Sequence, residues 1–394
     1  MSSTATLRIV GLVCIGLGST AACGGESGPA VPEGDPPALP WGIPAGFPEP
    51  RIPEDNRPTR AKVELGRHLF YDTRLSGNGT QSCASCHQQS RAFTDGMERS
   101  VGSTGEVHRR NTLSLTNVAY NGTLNWANPI LTELESQILG PLFGDDPVEL
   151  GASGRETEIL DRLRSDPDYP DRFAAAFPDV DVDSRISWET VVDALASFCR
   201  VLISGDSPFD RYAYGGDRRA LSDSAIRGME LFFSERLECH HCHGGFNFTL
   251  STVHDNSPFE AARFHNTGLY DVDGLGGYPT GNTGIHEFTG RPSDMGRFRA
   301  PTLRNVEVTA PYMHDGSIAT LEGVIDHYAR GGRNVTEGPW VGDGALNPLK
   351  SGFVPGFSIT DREREDLIAF LKSLTDRSFL EDPRFSNPFE AGDP

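Results

Sequence analysis

Basic residues are scarce in this chain. It has 35 Lys and Arg against 55 Asp and Glu, a formal net charge of −20 over 394 residues. That balance argues against nucleic acid, whose binders need Lys and Arg to replace phosphate counterions. It also disfavours adsorption to an anionic membrane face, and it suits steering of basic partners or binding of hard cations. Apolar side chains are sparse as well, at 37%, beside 28 Pro and 44 Gly. Such a loop-rich chain needs something besides side chains to complete its core. No segment shows long strand alternation, and no run beyond the first residues approaches transmembrane length. Two or three domains are expected from the length. The seven cysteines imply no disulfide framework.

The N-terminus carries targeting information. Residues 1–22 hold a single Arg8, the apolar run Ile9 to Leu17, and small residues ending Thr20-Ala21-Ala22 before Cys23. This reads as a signal peptide, so the mature chain is expected to be exported, in the periplasm. Cys23 after small residues resembles a lipoprotein cleavage site. Thr20, where Leu is usual, leaves plain signal-peptidase cleavage open. Lipid on Cys23 would tether the chain to a membrane surface, the outer membrane, without spanning it. Residues 23–50, rich in Pro and Gly, read as an extended tether.

Two stretches repeat. Glu64-Leu65-Gly66-Arg67-His68-Leu69-Phe70-Tyr71-Asp72 and Ile226-Arg227-Gly228-Met229-Glu230-Leu231-Phe232-Phe233-Ser234 place Gly, Leu and two aromatics in register. Apolar spacing of three and four marks both as amphipathic helices. Each runs into a turn and then a Cys-x-x-Cys-His motif: Cys83 to His87 and Cys239 to His243. Helical periodicity recurs at 156–163, 190–203, 321–329 and 360–374. The expected fold is mainly α-helical and loop-rich, with two cytochrome c-like domains at 51–215 and 216–385 and a tail at 386–394.

The motif's chemistry is specific. Two thiols three positions apart add to the vinyl groups of haem, and the adjacent His lies beneath the iron as axial ligand. A redox dithiol would not need the His. A zinc site would need more Cys or His at matched spacing. Cys83, Cys86, Cys239 and Cys242 are therefore expected to attach two haem c groups, with His87 and His243 as ligands. His240 and His241 fill the motif's tolerant interior and read as spacers. Cys199, in a helix-like run, reads as a buried inert thiol. His254, His265 and His286 read as surface or haem-edge residues, and Trp41, Trp188 and Trp340 as packing or rim residues.

The chain from about Pro58 to Leu374 resembles the bacterial dihaem cytochrome c peroxidase and MauG superfamily. The resemblance rests on Arg110-Asn111, Leu134-Glu135-Ser136-Gln137 with Gly140-Pro141, Pro301-Thr302-Leu303-Arg304-Asn305 and Ala310-Pro311-Tyr312-Met313-His314-Asp315-Gly316. It is nearest to the MauG-like and MbnH-like protein-modifying members. The resemblance implies a loop after the first motif that in scavenging peroxidases carries an iron-capping His. Here that loop is Ser100-Val101-Gly102-Ser103, with Ser103 at the His position, so the first haem is expected to be open to peroxide. His108 is an alternative cap, read here as a surface or propionate contact.

The resemblance further implies a distal ligand for the second haem fourteen residues beyond His314, at Tyr328. Scavengers generally have Met there. Met313, His314 and His327 are the alternatives. It places Trp126 between the haems and Gln137, Pro141 and Glu149 in the peroxide pocket. Trp126 lies one residue further from Gln137 than usual, and Glu149 two further from Pro141, so Asp145, Asp146 and Glu135 stay open as acid–base alternatives. It implies a calcium site using Asn111, Thr309 and Pro311, whose oxygen donors suit a hard cation.

The activity implied is a peroxidase whose haems reach a bis-Fe(IV)-type state and oxidise an exported partner protein at Trp, in MbnH-like enzymes a copper-associated one. The rivals are peroxide detoxification with electrons from a small cytochrome or cupredoxin, and a non-enzymatic electron carrier.

Overall fold

Side-chain caps set where helices begin. In the computed structural model, which describes residues 39–257 and 264–390, Thr59 accepts from the Lys62 N–H and opens α1 (Arg60–Tyr71). After it come α2 (Cys83–Cys86), α3 (Leu134–Phe143), α4 (Glu156–Arg164) and α5 (Tyr169–Ala176). A Ser187/Thr190 capping box opens α6 (Trp188–Arg200). Next are α7 (Pro208–Ala213), α8 (Asp223–Phe232), α9 (His240–His243) and α10 (His286–Thr289). Thr320 caps α11 (Leu321–Arg330), and a Thr360/Glu363 box opens α12 (Asp361–Lys372). Last is α13 (Arg377–Glu381).

The strands are two-residue antiparallel ribbons, Phe264–His265 with Phe298–Arg299 and Asn334–Val335 with Gly342–Asp343. The fold is thus mainly helical and loop-rich, as the sequence suggests. The periodic segments at 156–163, 190–203, 321–329 and 360–374 correspond to α4, α6, α11 and α12, with ends moved by their caps. The short helix α3 escapes periodicity because Gly140-Pro141 interrupts its pattern. Among the described residues no helix is long and apolar enough to cross a membrane. The expected signal peptide and Cys23 lie outside the described residues.

The sequence repeat marks a repeated helix crossing. At Gly66 a Cβ would lie 1.9 Å from the Ala194 carbonyl oxygen and 2.9 Å from Phe198 Cβ. At Gly228 it would lie 1.9 Å from the Asp366 carbonyl oxygen and 2.9 Å from Phe370 Cβ. Only glycine lets α1 approach α6, and α8 approach α12, this closely. Around the first crossing Leu65, Leu69 and Phe70 pack with Leu195 and Phe198. Around the second, Ala225 and Phe232 pack with Leu367 and Phe370. A third apolar cluster gathers Trp126, Leu269, Tyr270, Tyr278, Ile285 and Phe298.

The segment 301–305 braces the second half. Arg304, fully buried, forms a two-pronged pair with Asp210 of α7 at 2.8 and 3.0 Å, and its guanidinium covers the Phe47 ring at 4.6 Å. Asn305 donates to Ser204 Oγ and accepts from the Asp376 N–H.

Candidate active site

Both Cys-x-x-Cys-His motifs wind into a single helical turn. The His87 N–H donates to the Cys83 carbonyl and the His243 N–H to the Cys239 carbonyl, each at 2.9 Å. His87 Nδ1 lies 2.7 Å from the Phe93 carbonyl. His243 Nδ1 lies 3.2 Å from the Phe248 carbonyl and 3.1 Å from that of Pro301. A carbonyl only accepts, so Nδ1 carries the proton in each ring and Nε2 keeps the lone pair that an iron ligand needs. Burial lowers both imidazoles, His243 to about 4, and keeps them neutral.

Each motif faces its own cavity. The first is lined by Cys83, Cys86 and His87 together with Gln137, Pro141 and Glu149. The second is lined by Cys239, Cys242, His243 and Tyr328. Trp126 lines both, and its Nε1–H donates to the Asn111 carbonyl at 2.7 Å, which holds the indole between them.

The linings fit a haem in each cavity. Arg299 is buried in the second, and its Nη1 has no protein partner. Burial pushes its guanidinium down to about 10. A buried cation in that state fits the propionate of a haem. In the first cavity the Gln137 Oε1 and His108 Nε2 are buried without protein partners.

The carboxylates sort clearly. Glu149 is the one turned into the first cavity with its carboxyl pushed up to about 7 by burial. Glu135 instead pairs with Arg200 and accepts from Asn56 Nδ2, both at 2.6 Å, which hold it below the usual carboxylate range. Asp146 reaches the cavity rim but pairs with Arg109 at 2.6 Å, and Asp145 does not line it.

Ser103 is not among the lining residues. Its N–H donates to the Glu149 carbonyl at 2.7 Å, so the loop clamps the backbone of Glu149. His108, read from the sequence as a surface or propionate contact, lines the cavity 3.9 Å from Glu149. The sequence clue was its place next to Arg109 and Arg110, which line the same cavity.

In the second cavity Tyr328, Met313 and His314 are all lining residues, and His327 is not. His314 lies flat on Phe298, with ring centroids 3.6 Å apart. Asn111, Thr309 and Pro311 line this cavity too. Asn111 Nδ2 donates to the Met97 carbonyl at 2.8 Å, so its Oδ1 is the atom left to serve a cation. Cys199 lines the first cavity as a buried thiol pushed up to about 12 by its apolar surroundings. Trp188 packs edge-on to Phe143.

Two motif histidines in separate pockets, joined by one indole on a helical frame, define a dihaem c-type cytochrome. The family described as di-haem cytochrome c peroxidase matches residues 60–219. Cytochrome-c peroxidase IdrP1 of Pseudomonas sp. (strain SCT) is 34% identical over 348 residues, covering 84% of this chain and 85% of the relative. The methylamine utilization protein MauG of Methylorubrum extorquens is 34% identical over 322 residues, covering 82% and 80%. A crystal structure of a MauG-like protein associated with microbial copper homeostasis is 51% identical, with a TM-score of 0.86, over 89% of this chain and 99% of that one. The chain belongs to the dihaem cytochrome c peroxidase and MauG family: it is a peroxide-using oxidoreductase that carries two haem c groups.

Proposed function

We propose that this enzyme uses hydrogen peroxide to oxidise an exported partner protein at tryptophan, by way of two electronically linked haems. Tyr328 carries the proposal. It shares the second cavity with His243, Cys239 and Cys242, where a phenolate oxygen would favour oxidised iron over reduced iron. The solved relative associated with copper homeostasis supports a small copper-associated protein as the substrate. The leader supports a periplasmic location, with a lipid tether if Cys23 is acylated.

When bound, the haems supply the redox chemistry: peroxide O–O cleavage and storage of two oxidising equivalents. Glu149 takes the proton from the inner peroxide oxygen and returns it to the outer one, which leaves as water. Its carboxyl, near 7, is suited to both directions at neutral pH. The unpartnered Gln137 Oε1 accepts from the peroxide O–H, and Pro141 shapes the wall. Trp126, common to both cavities, would offer the path for an oxidising equivalent between haems held in them. Asn111, Thr309 and Pro311 would hold a calcium ion through oxygen donors.

A second reading is detoxification of peroxide with electrons from a small cytochrome or cupredoxin. Met313 favours it, because a thioether donor lies on the same cavity as Tyr328 and would raise the potential of the second haem. Stoichiometric peroxide added to the diferric protein separates the two. The proposal expects a long-lived near-infrared band arising from coupling between the haems. Rapid bleaching, or an unchanged spectrum, overturns it.

A further inference from the structure

His240 and His241 occupy the interior of the second Cys-x-x-Cys-His motif, where haem attachment makes no demand on side-chain chemistry. Neither ring lines the second cavity. Both rings meet the Glu235 carboxylate. His241 Nε2 lies 3.2 Å from Glu235 Oε2 and 3.0 Å from Glu238 Oε2. His240 Nε2 lies 3.4 Å from Glu235 Oε1. Ligand atoms of Glu235, His240 and His241 all fall within 4.8 Å of one another. Bonds of about 2.0–2.2 Å to a tetrahedral ion place neighbouring donors roughly 3.3–3.5 Å apart, so the cluster needs little rearrangement to close on one.

The rings are held in place before any ion arrives. His241 stacks on Phe353 with centroids 4.5 Å apart and planes 12° from parallel, and it packs against His240 at 4.2 Å. Glu238 adopts a left-handed backbone, φ 59°, which L-residues disfavour, and its carboxylate reaches His241.

We infer that Glu235, His240 and His241, with Glu238 holding the His241 ring, form a binding site for a divalent transition-metal ion on the outer rim of the second haem cavity. Two imidazoles with one carboxylate favour Cu²⁺ or Zn²⁺ over Ca²⁺ or Mg²⁺, and the general affinity order places Cu²⁺ ahead of Zn²⁺. Glu238, Cys239, Cys242 and Phe353 line the cavity. A bound dication therefore adds positive charge beside the second haem and favours its reduced form.

The test uses the full dihaem protein, titrated calorimetrically with Zn²⁺, Cu²⁺ and Ca²⁺. One Zn²⁺ or Cu²⁺ is expected to bind per chain and Ca²⁺ is expected not to compete. The copper spectrum should show two nitrogen couplings, and Zn²⁺ should move the second haem's midpoint potential upward. Because even outer-sphere partners are worth about 10- to 100-fold in metal affinity, His241→Ala should weaken binding by about 100-fold or more. The double variant Glu235→Ala/Glu238→Ala, which leaves the haem motif intact, should do the same. Absence of binding, or equal binding by the wild type and the double variant, overturns the assignment and leaves ordinary His–Glu ion pairs.

Discussion

A carboxyl group can move protons in both directions at neutral pH only when its surroundings lift it out of the usual range. Glu149 meets that condition by burial, while Glu135, with Arg200 beside it, is pushed the opposite way. Glu149→Gln keeps the size and removes the proton carrier. Its rate of reaction with peroxide should fall about 10²- to 10⁴-fold, read by stopped-flow absorbance, with the ferric spectrum unchanged. The carboxylate is the competent base, so the wild-type rate should rise with pH through about 7 and then level off. That rise should vanish in the Gln variant. An unaltered pH profile would move the proton-transfer role to another group, with His108 the nearest neighbour in the cavity.

Helix pairs in this protein depend on single atoms. Gly66→Ala and Gly228→Ala each place a methyl 1.9 Å from a carbonyl oxygen of the facing helix. The helices must separate, and overpacking of this kind costs about 1–3 kcal/mol. Urea unfolding of the holoprotein should show that loss for both variants. A change within about 0.5 kcal/mol, as at an ordinary surface site, would mean that the crossings are looser than described. The Arg304–Asp210 pair joins α7 to the segment whose Pro301 carbonyl fixes His243. Asp210→Ala strands a buried guanidinium and should cost about 3–5 kcal/mol. Loosened His243 should also show as a changed spectrum of the second haem, with the first unaffected.

Over the whole molecule the net charge of −20 acts at long range. Cationic partners are drawn in and anionic ones repelled, and salt screens both effects over about 8 Å at physiological ionic strength. A cationic one-electron donor should therefore reduce the peroxide-treated enzyme faster than an anionic donor of equal potential. The difference should shrink as salt rises from low to physiological levels. Rates independent of ionic strength would indicate that electrons leave through a surface without net field.

Much of the architecture is written locally and was legible in order along the chain. The two Cys-x-x-Cys-His motifs, the capped amphipathic helices, and Gly66 in register with Gly228 each need only neighbours within a few residues. The repeat marked two equivalent helices, and the structure adds the reason for their shared glycine: each crosses another helix at a point that leaves no room for a side chain. Other features exist only after folding. Trp126 reaches both cavities, Arg299 is buried without a protein counter-ion, and Glu149 rather than Glu135 faces the first cavity. His240 and His241, spacers by sequence, meet two carboxylates only when the turn from Glu235 brings them together. Distance through the chain says nothing about burial, and burial decides which charged groups keep their ordinary chemistry.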